Sequence, residues 1–178
     1  MPKMLNFGCA NVQPEAWVNL DKCDYGQRYI ADVLEGLPFN DDHFDCVAAN
    51  HVLHMFSWDD LTSEVLPELR RILRPGGVLR VIDMDPVKAF RNYDAGDAAS
   101  LVIPDEVERS IDGKFCQYLT WFSTRKSICT GYYLQELLAR AGFRQTTIQS
   151  PSHTIYESTD IIEIDSRPAE SYIVEGRK

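Results

Sequence analysis

The chain has 178 residues, 44% of them hydrophobic and 25% charged, and a formal net charge of −9. That balance suits one domain with a sizeable core, and the acidic excess argues against a broad nucleic-acid surface, which needs clustered Lys and Arg. Five cysteines, an odd count without a C-x-x-C pair, argue against a disulfide framework or a zinc site; Cys9, Cys46, Cys116 and Cys129 are expected as small buried hydrophobes.

The N-terminus has no signal-peptide core and no run is long enough to span a bilayer, so a cytoplasmic protein without membrane insertion is expected. Residues 5–7, Leu-Asn-Phe, read as a short buried strand, and Gly8 opens a polar turn. A glycine after a strand lets backbone approach a ligand. Residues 17–20, Trp-Val-Asn-Leu, form a second strand ending on Asp21. Between them a full crossover helix has no room, because such a connection takes a dozen or more residues and Pro14 interrupts this one. The fold is trimmed here.

A third strand is expected over 29–33, with Asp32 near its end. Turns follow over 36–43. The nearly all-apolar run 44–49 reads as a central strand, and Asn50, His51 and His54 follow its carboxyl end. Asp59 or Asp60 can cap a helix carrying Leu61, Val65, Leu66, Leu69, Ile72 and Leu73 at helical spacing. Pro67 is expected to kink it, and 75–77, Pro-Gly-Gly, to stop it. Residues 78–82 form the fifth strand, ending at Asp83 and Asp85. The stretch 86–130 shows no clean periodicity, and an excursion of this length usually covers a site. A helix over 132–141 and strands over 143–149 and 170–174 close the chain.

This alternation predicts an α/β, Rossmann-like mixed sheet, mostly parallel with an antiparallel C-terminal strand and helices on both faces, in a single domain over 1–178. Ligands on such sheets bind beyond the carboxyl ends of the strands. Asp21 there can accept two ribose hydroxyls, and Asp32 can accept from an exocyclic amine such as adenine N6.

The ordered series Leu-Asn-Phe-Gly-Cys-Ala-Asn, Trp-Val-Asn-Leu-Asp, Ala-Asp-Val, Leu-Pro-Phe, Phe-Asp-Cys-Val, His-Val-Leu-His and Leu-Arg-Pro-Gly-Gly-Val-Leu-Arg resembles the class I S-adenosylmethionine-dependent methyltransferases. The likeness is to short variants that begin at the first strand; it covers 4–85 well and continues weakly to the C-terminus. It implies S-adenosylmethionine as cofactor, S-adenosylhomocysteine as product, and a cofactor site at Phe7, Gly8, Cys9, Asn11, Asp21, Asp32, Val33, Asn50 and His51. Three departures stand out. Ala10 occupies the usual place of a second glycine, Asn6 that of a frequent acid, and His54-Met55 that of a common Glu-His pair.

Methyl transfer to oxygen or nitrogen can need a base. His51 and His54 are the catalytic candidates: at i, i+3 a helical turn would put them on one face, and imidazole titrates near neutrality. Asp83 and Asp85 are weaker candidates, and the spacing of His51, His54 and Asp85 matches no metal motif. Trp58, Trp121 and Phe122 are candidate pocket walls. Neither an Asn-Pro-Pro-Tyr exit nor a Pro-Cys nucleophile is present, which with the acidic charge favours a small-molecule, sugar or lipid-linked glycan acceptor. The alternative is a non-catalytic relative that binds cofactor or a partner. A nicotinamide dehydrogenase would want G-x-G-x-x-G, which is absent.

Overall fold

The computed structural model describes residues 2–178. Seven strands form one sheet: β1 (Met4–Phe7), β2 (Val18–Asp21), β3 (Tyr29–Ile30), β4 (Phe44–Asn50), β5 (Leu73–Met84), β6 (Arg144–Ile148) and β7 (Ser171–Arg177), in spatial order β3-β2-β1-β4-β5-β7-β6. The first five pair in parallel, and β7 runs antiparallel to both β5 and β6. The mixed sheet expected from the sequence is therefore present.

Alternation along the strands divides the core. Leu5, Phe7, Val47, Ala49, Leu79, Val81 and Val174 point to one face, where they meet Leu61, Val65, Leu69 and Ile72 together with Leu134, Leu137 and Leu138. Those residues belong to a π-helical turn (Leu61–Val65), which α1 (Trp58–Asp60) leads into, to α2 (Leu66–Ile72) and to α5 (Gly131–Arg140). The other face is not covered by a helical layer as expected. Met4, Cys46, Ala48 and Val78 pack there against Trp17, Ile161 and Ile164, and the C-terminal segment contributes only a 3-10 turn (Thr159–Ile162).

Arg80 fastens that segment. Its side chain is buried, and it donates from Nε to Asp165 (2.9 Å) and from Nη1 to Glu175 (2.7 Å) and to the His153 carbonyl (2.9 Å). The Asn50 amide adds a bond to the Ile164 carbonyl and accepts from the Ser166 hydroxyl.

Two more side chains replace the missing crossover helix between β1 and β2. Asn6 and Asn19 are register partners. The Asn6 amide donates to the Val12 carbonyl at 2.7 Å, and Asn19 donates to the Pro14 and Trp17 carbonyls. A carboxylate at position 6 could donate to neither Val12 nor Asn19, which accounts for the amide there.

Several local expectations are corrected. The third strand stops at Ile30, and Asp32 instead caps a 3-10 turn (Val33–Glu35), accepting from the Leu34 N–H at 3.1 Å. Ser57, not Asp59 or Asp60, caps α1, accepting from the Asp60 N–H at 3.1 Å. Rather than kinking the helix, Pro67 follows the π turn, whose wider spacing makes room for a ring that clashes with the preceding turn. The helix ends at Ile72, and β5 already includes Pro75, Gly76 and Gly77. Within 86–130 lie two helices, α3 (Pro86–Asp94) and α4 (Ile111–Thr120), packed around Ala89, Leu101, Ile103 and Tyr118 beyond the carboxyl end of β5. Cys116 is exposed, unlike buried Cys9 and Cys46.

Replacing Arg80 with Met strands the buried Glu175 carboxylate and the partly buried Asp165, and breaking a buried pair in this way costs roughly 3–5 kcal/mol. Urea unfolding of Arg80→Met should show a loss of that size; a change below about 1 kcal/mol would mean the C-terminal segment is held by its apolar contacts alone.

Candidate active site

The carboxyl ends of β1, β2 and β4 open onto a cleft of about 450 Å³ lined by Phe7, Gly8, Asp21, Asp32, Val33 and His51, among others. This is the size range of small-molecule sites. Gly8 adopts φ +72°, and a Cβ there would lie 2.5 Å from Cγ2 of Val52, so only glycine fits. The N–H groups of Gly8 and Cys9 both donate to the Leu20 carbonyl, at 2.9 and 3.1 Å. Asp21 closes the turn by accepting from the Ala10 N–H through Oδ2 and from the Cys23 N–H through Oδ1, each at 3.0 Å. Ala10 itself sits at φ +42°, the left-handed region where a glycine is easier to place.

Each Asp21 oxygen keeps a lone pair for a hydroxyl. Asp32 is less free. Its Oδ2 lies 2.6 Å from the ammonium of exposed Lys22, and that hydrogen bond is the main reason its carboxyl is held below the usual range. Tyr25, Met55 and Phe56 supply apolar walls, and Lys126, at the end of the long excursion, reaches the same cleft.

Two expected cofactor residues lie elsewhere. Asn11 is exposed on the turn and Asn50 is turned to the opposite face of the sheet; neither lines the cleft. Cys9 is buried beside the cleft and takes part through its backbone. Trp58 packs edge-on against Tyr133 at 5.4 Å, and Trp121 lies beside Phe122 and under Arg167; none of the three walls the cleft. Asp85 caps α3 by accepting from the Val87 N–H.

His51 and His54 do converge, though not on a shared helical face. His51 is left-handed at φ +53°, and a 3-10 turn (Leu53–Met55) follows. Both imidazoles approach Asp83. His54 Nδ1 lies 2.7 Å from Oδ1, and the His54 N–H donates to Oδ2 at 3.2 Å. The Met84 N–H also donates to Oδ1. Burial pushes the Asp83 carboxyl up, but the His54 hydrogen bond and charge, with His51 and the Met84 N–H, bring it below its ordinary value. Since the ionised carboxylate only accepts, His54 donates from Nδ1 and Nε2 is left as its basic nitrogen.

His51 has the opposite tautomer. Its Nε2 lies 3.3 Å from the Ser166 carbonyl and 3.2 Å from the Ser171 hydroxyl, which is already donating to the Arg167 carbonyl. Both partners therefore accept, and Nε2 carries the proton. Nδ1 is buried without a hydrogen-bond partner, 3.9 Å from Asp83 Oδ1. Burial, then the charge of Arg167, lowers the His51 pKa to about 4, so at neutral pH this contact is not an ion pair.

A second, smaller cavity of about 10 Å³ is lined by His54 together with Asp83, Arg125, Ser127 and Ile128. His54 lines this space and not the cleft. Arg125 and Lys126 carried no motif signal in the sequence; only the fold brings them to Asp83 and the cleft. Among the described residues, no group of three or more His, Cys, Asp or Glu is placed to hold a metal ion, and no helix is long and apolar enough to cross a membrane.

A mostly parallel sheet closed by an antiparallel strand, with a glycine turn and two acids around one cleft, is the arrangement of a Rossmann-like α/β fold. Residues 3–81 match the family described as Methyltransferase domain. Over 52 residues it is 40% identical to "Probable methyltransferase ltbC" of Aspergillus luteorubrus; the match covers 29% of this chain and 18% of that protein, so the chain spans less than a fifth of this curated relative. Among solved structures, it resembles an S-adenosylmethionine-dependent methyltransferase from Archaeoglobus fulgidus (13% identity, TM-score 0.60, 99% of this chain and 86% of that one). It resembles another from Mesorhizobium loti equally well (17% identity, TM-score 0.60, 99% and 91%). At these identities the structural likeness is one of fold.

His51 is protonated in the unfolded chain below about pH 6.5 but in the fold only near pH 4. Between those values the unfolded state binds more protons, so stability falls as pH falls through the window, by up to roughly 1.4 kcal/mol per pH unit. His51→Gln should flatten that slope in urea titrations. An NMR titration that places the His51 ring near its ordinary pKa would contradict the assignment.

Proposed function

We propose that this chain transfers the methyl group of S-adenosylmethionine to a small organic acceptor bearing a hydroxyl or amine. The observation that carries the reading is one cleft bounded by the Gly8 turn, Asp21, Asp32 and His51 at the carboxyl ends of β1, β2 and β4. The cleft fits the cofactor: Asp21 offers open lone pairs to the ribose hydroxyls, and Asp32 faces the adenine position through an oxygen that Lys22 now shares. When bound, the cofactor supplies a sulfonium methyl already activated for in-line displacement, so positioning provides much of the acceleration.

Between the two histidines, the geometry favours His54 as base. Asp83 holds its Nδ1–H, leaving Nε2 to take the acceptor's proton as the new bond to carbon forms. His51 is a poor base at neutral pH, with its pKa lowered to about 4. Its role is to wall the cleft. The excursion over 86–130 acts as a cover, since Lys126 at its end borders the cleft and its backbone N–H donates to the His54 carbonyl at 2.9 Å.

Calorimetry tests the cofactor site. A buried charge-assisted hydrogen bond contributes roughly 1.5–3 kcal/mol, so Asp21→Ala should weaken S-adenosylhomocysteine binding about tenfold or more with the fold kept. Unchanged affinity would remove Asp21 from the site.

Turnover tests the base. His54→Ala should lower kcat by about 10²–10⁴-fold, while S-adenosylhomocysteine affinity stays near wild type. Near-full turnover would leave positioning alone to carry the reaction.

A further inference from the structure

We propose that the Arg125 guanidinium is the docking group for a carboxylate on the methyl acceptor, in the compartment that His54 lines. The inference rests on the methyl-transfer reading above. Nη1 of Arg125 donates to the Leu119 carbonyl at 3.1 Å, and the group lies over the Tyr118 ring at 5.9 Å. Nε and Nη2, in contrast, are buried and have no hydrogen-bond partner. These two N–H groups form the edge of the fork that matches a carboxylate with two parallel bonds.

Leaving such an edge unpaired in the interior is costly, and the neighbouring acids do not use it. Asp83 spends its oxygens on His54 and Met84, and Glu170, whose two oxygens are themselves buried without a hydrogen-bond partner, lies 3.3 Å from Nε of Arg167 and makes no ion pair with Arg125. The cavity beside the fork, about 10 Å³, has room for a single water. An acceptor must therefore open it. Ile128 is one wall and is 46% exposed, so the cavity borders the surface there and widens when this side chain moves aside.

The remaining walls indicate the acceptor's body. Leu53, Leu61, Leu134, Met84 and Tyr172 are apolar or aromatic, which suits an aryl or alkyl carboxylate. One guanidinium matches a single negative charge, and a phosphate dianion would be opposed by the buried Asp83 carboxylate. Arg125 and Lys126 are adjacent in sequence yet border different spaces, the cavity and the cofactor cleft. An acid held at Arg125 would thus lie beside His54, next to the cofactor compartment.

The test uses the full chain saturated with S-adenosylhomocysteine, titrated calorimetrically with benzoate and phenylacetate and with their neutral amides, benzamide and phenylacetamide. The carboxylates should bind about tenfold or more tightly than the amides. Arg125→Met should abolish that preference, and Arg125→Lys, a point charge without the fork, should keep part of it. Affinity for S-adenosylhomocysteine should stay within about twofold in both variants. The melting temperature of Arg125→Met should be no lower than wild type, because an unpaired buried charge has been removed.

Equal binding of acids and amides by the wild-type protein overturns the proposal, as does a preference that survives Arg125→Met. A fall in S-adenosylhomocysteine affinity in the variants overturns it differently, by assigning the fork to the cofactor's own carboxylate. A melting temperature that drops in Arg125→Met and recovers in Arg125→Lys would make the guanidinium a structural prop, which also overturns it. If wild type fails to bind S-adenosylhomocysteine at all, the methyl-transfer reading falls and the proposal falls with it.

Discussion

Strand β5 is buried along most of its length and carries a charge toward each face: Arg80 on one, Asp83 on the other. Buried charges must be matched by partners, and much of the molecule is arranged to match these two. Arg80 draws Asp165 and the His153 carbonyl from the C-terminal segment, and Glu175 from β7. That segment thereby covers a sheet face that lacks a helical layer. Asp83 draws the chain after β4 into a tight turn, with two imidazoles and two backbone N–H groups around it.

Because Asp83 fixes the 51–54 turn, it also fixes what the two histidines can do. The turn requires His51 to be left-handed, which points its ring at Ser166 and Ser171 and leaves Nδ1 without a partner. His54 is held at Nδ1 and keeps its other nitrogen basic. Asp83 sets the tautomer of His54 while Ser166 and Ser171 set the opposite one in His51, with His51 at the cleft and His54 at the smaller cavity. This division is environmental, since an isolated imidazole has no preference strong enough to impose it.

The order of the first five strands was legible in the sequence because apolar runs, strand-end acids and the Gly8 turn are local signals. The same holds for Asp21 and Gly8 as cleft residues. What the sequence did not show depends on distant partners. Asn50 ends β4, where a site residue would sit, but strand alternation turns it to the opposite face, toward Ile164, which lies 114 residues away. Asp32 reads as the end of a strand, yet the ladder stops at Ile30 and its carboxylate is used as a cap and as a partner for Lys22. The helices within 86–130 are short and pack on one another, so neither needs the long apolar stripe that marks a helix packed on a sheet.

The short connection between β1 and β2 follows from the same economy of partners. A crossover helix normally buries apolar surface against the sheet and satisfies its own backbone. Here the amides of Asn6 and Asn19, facing each other across β1 and β2, satisfy loop carbonyls instead. Those bonds hold the 8–17 connection close to the sheet, and Asp21 ties its first turn at Ala10. Asp21 therefore has two tasks: it shapes the turn through one lone pair on each oxygen and faces the cleft with the others. A ligand hydroxyl that binds Asp21 thus meets a carboxylate whose orientation is already set, so little side-chain entropy is lost on binding. Preorganisation of the cleft is in this way a consequence of how the short connection is held.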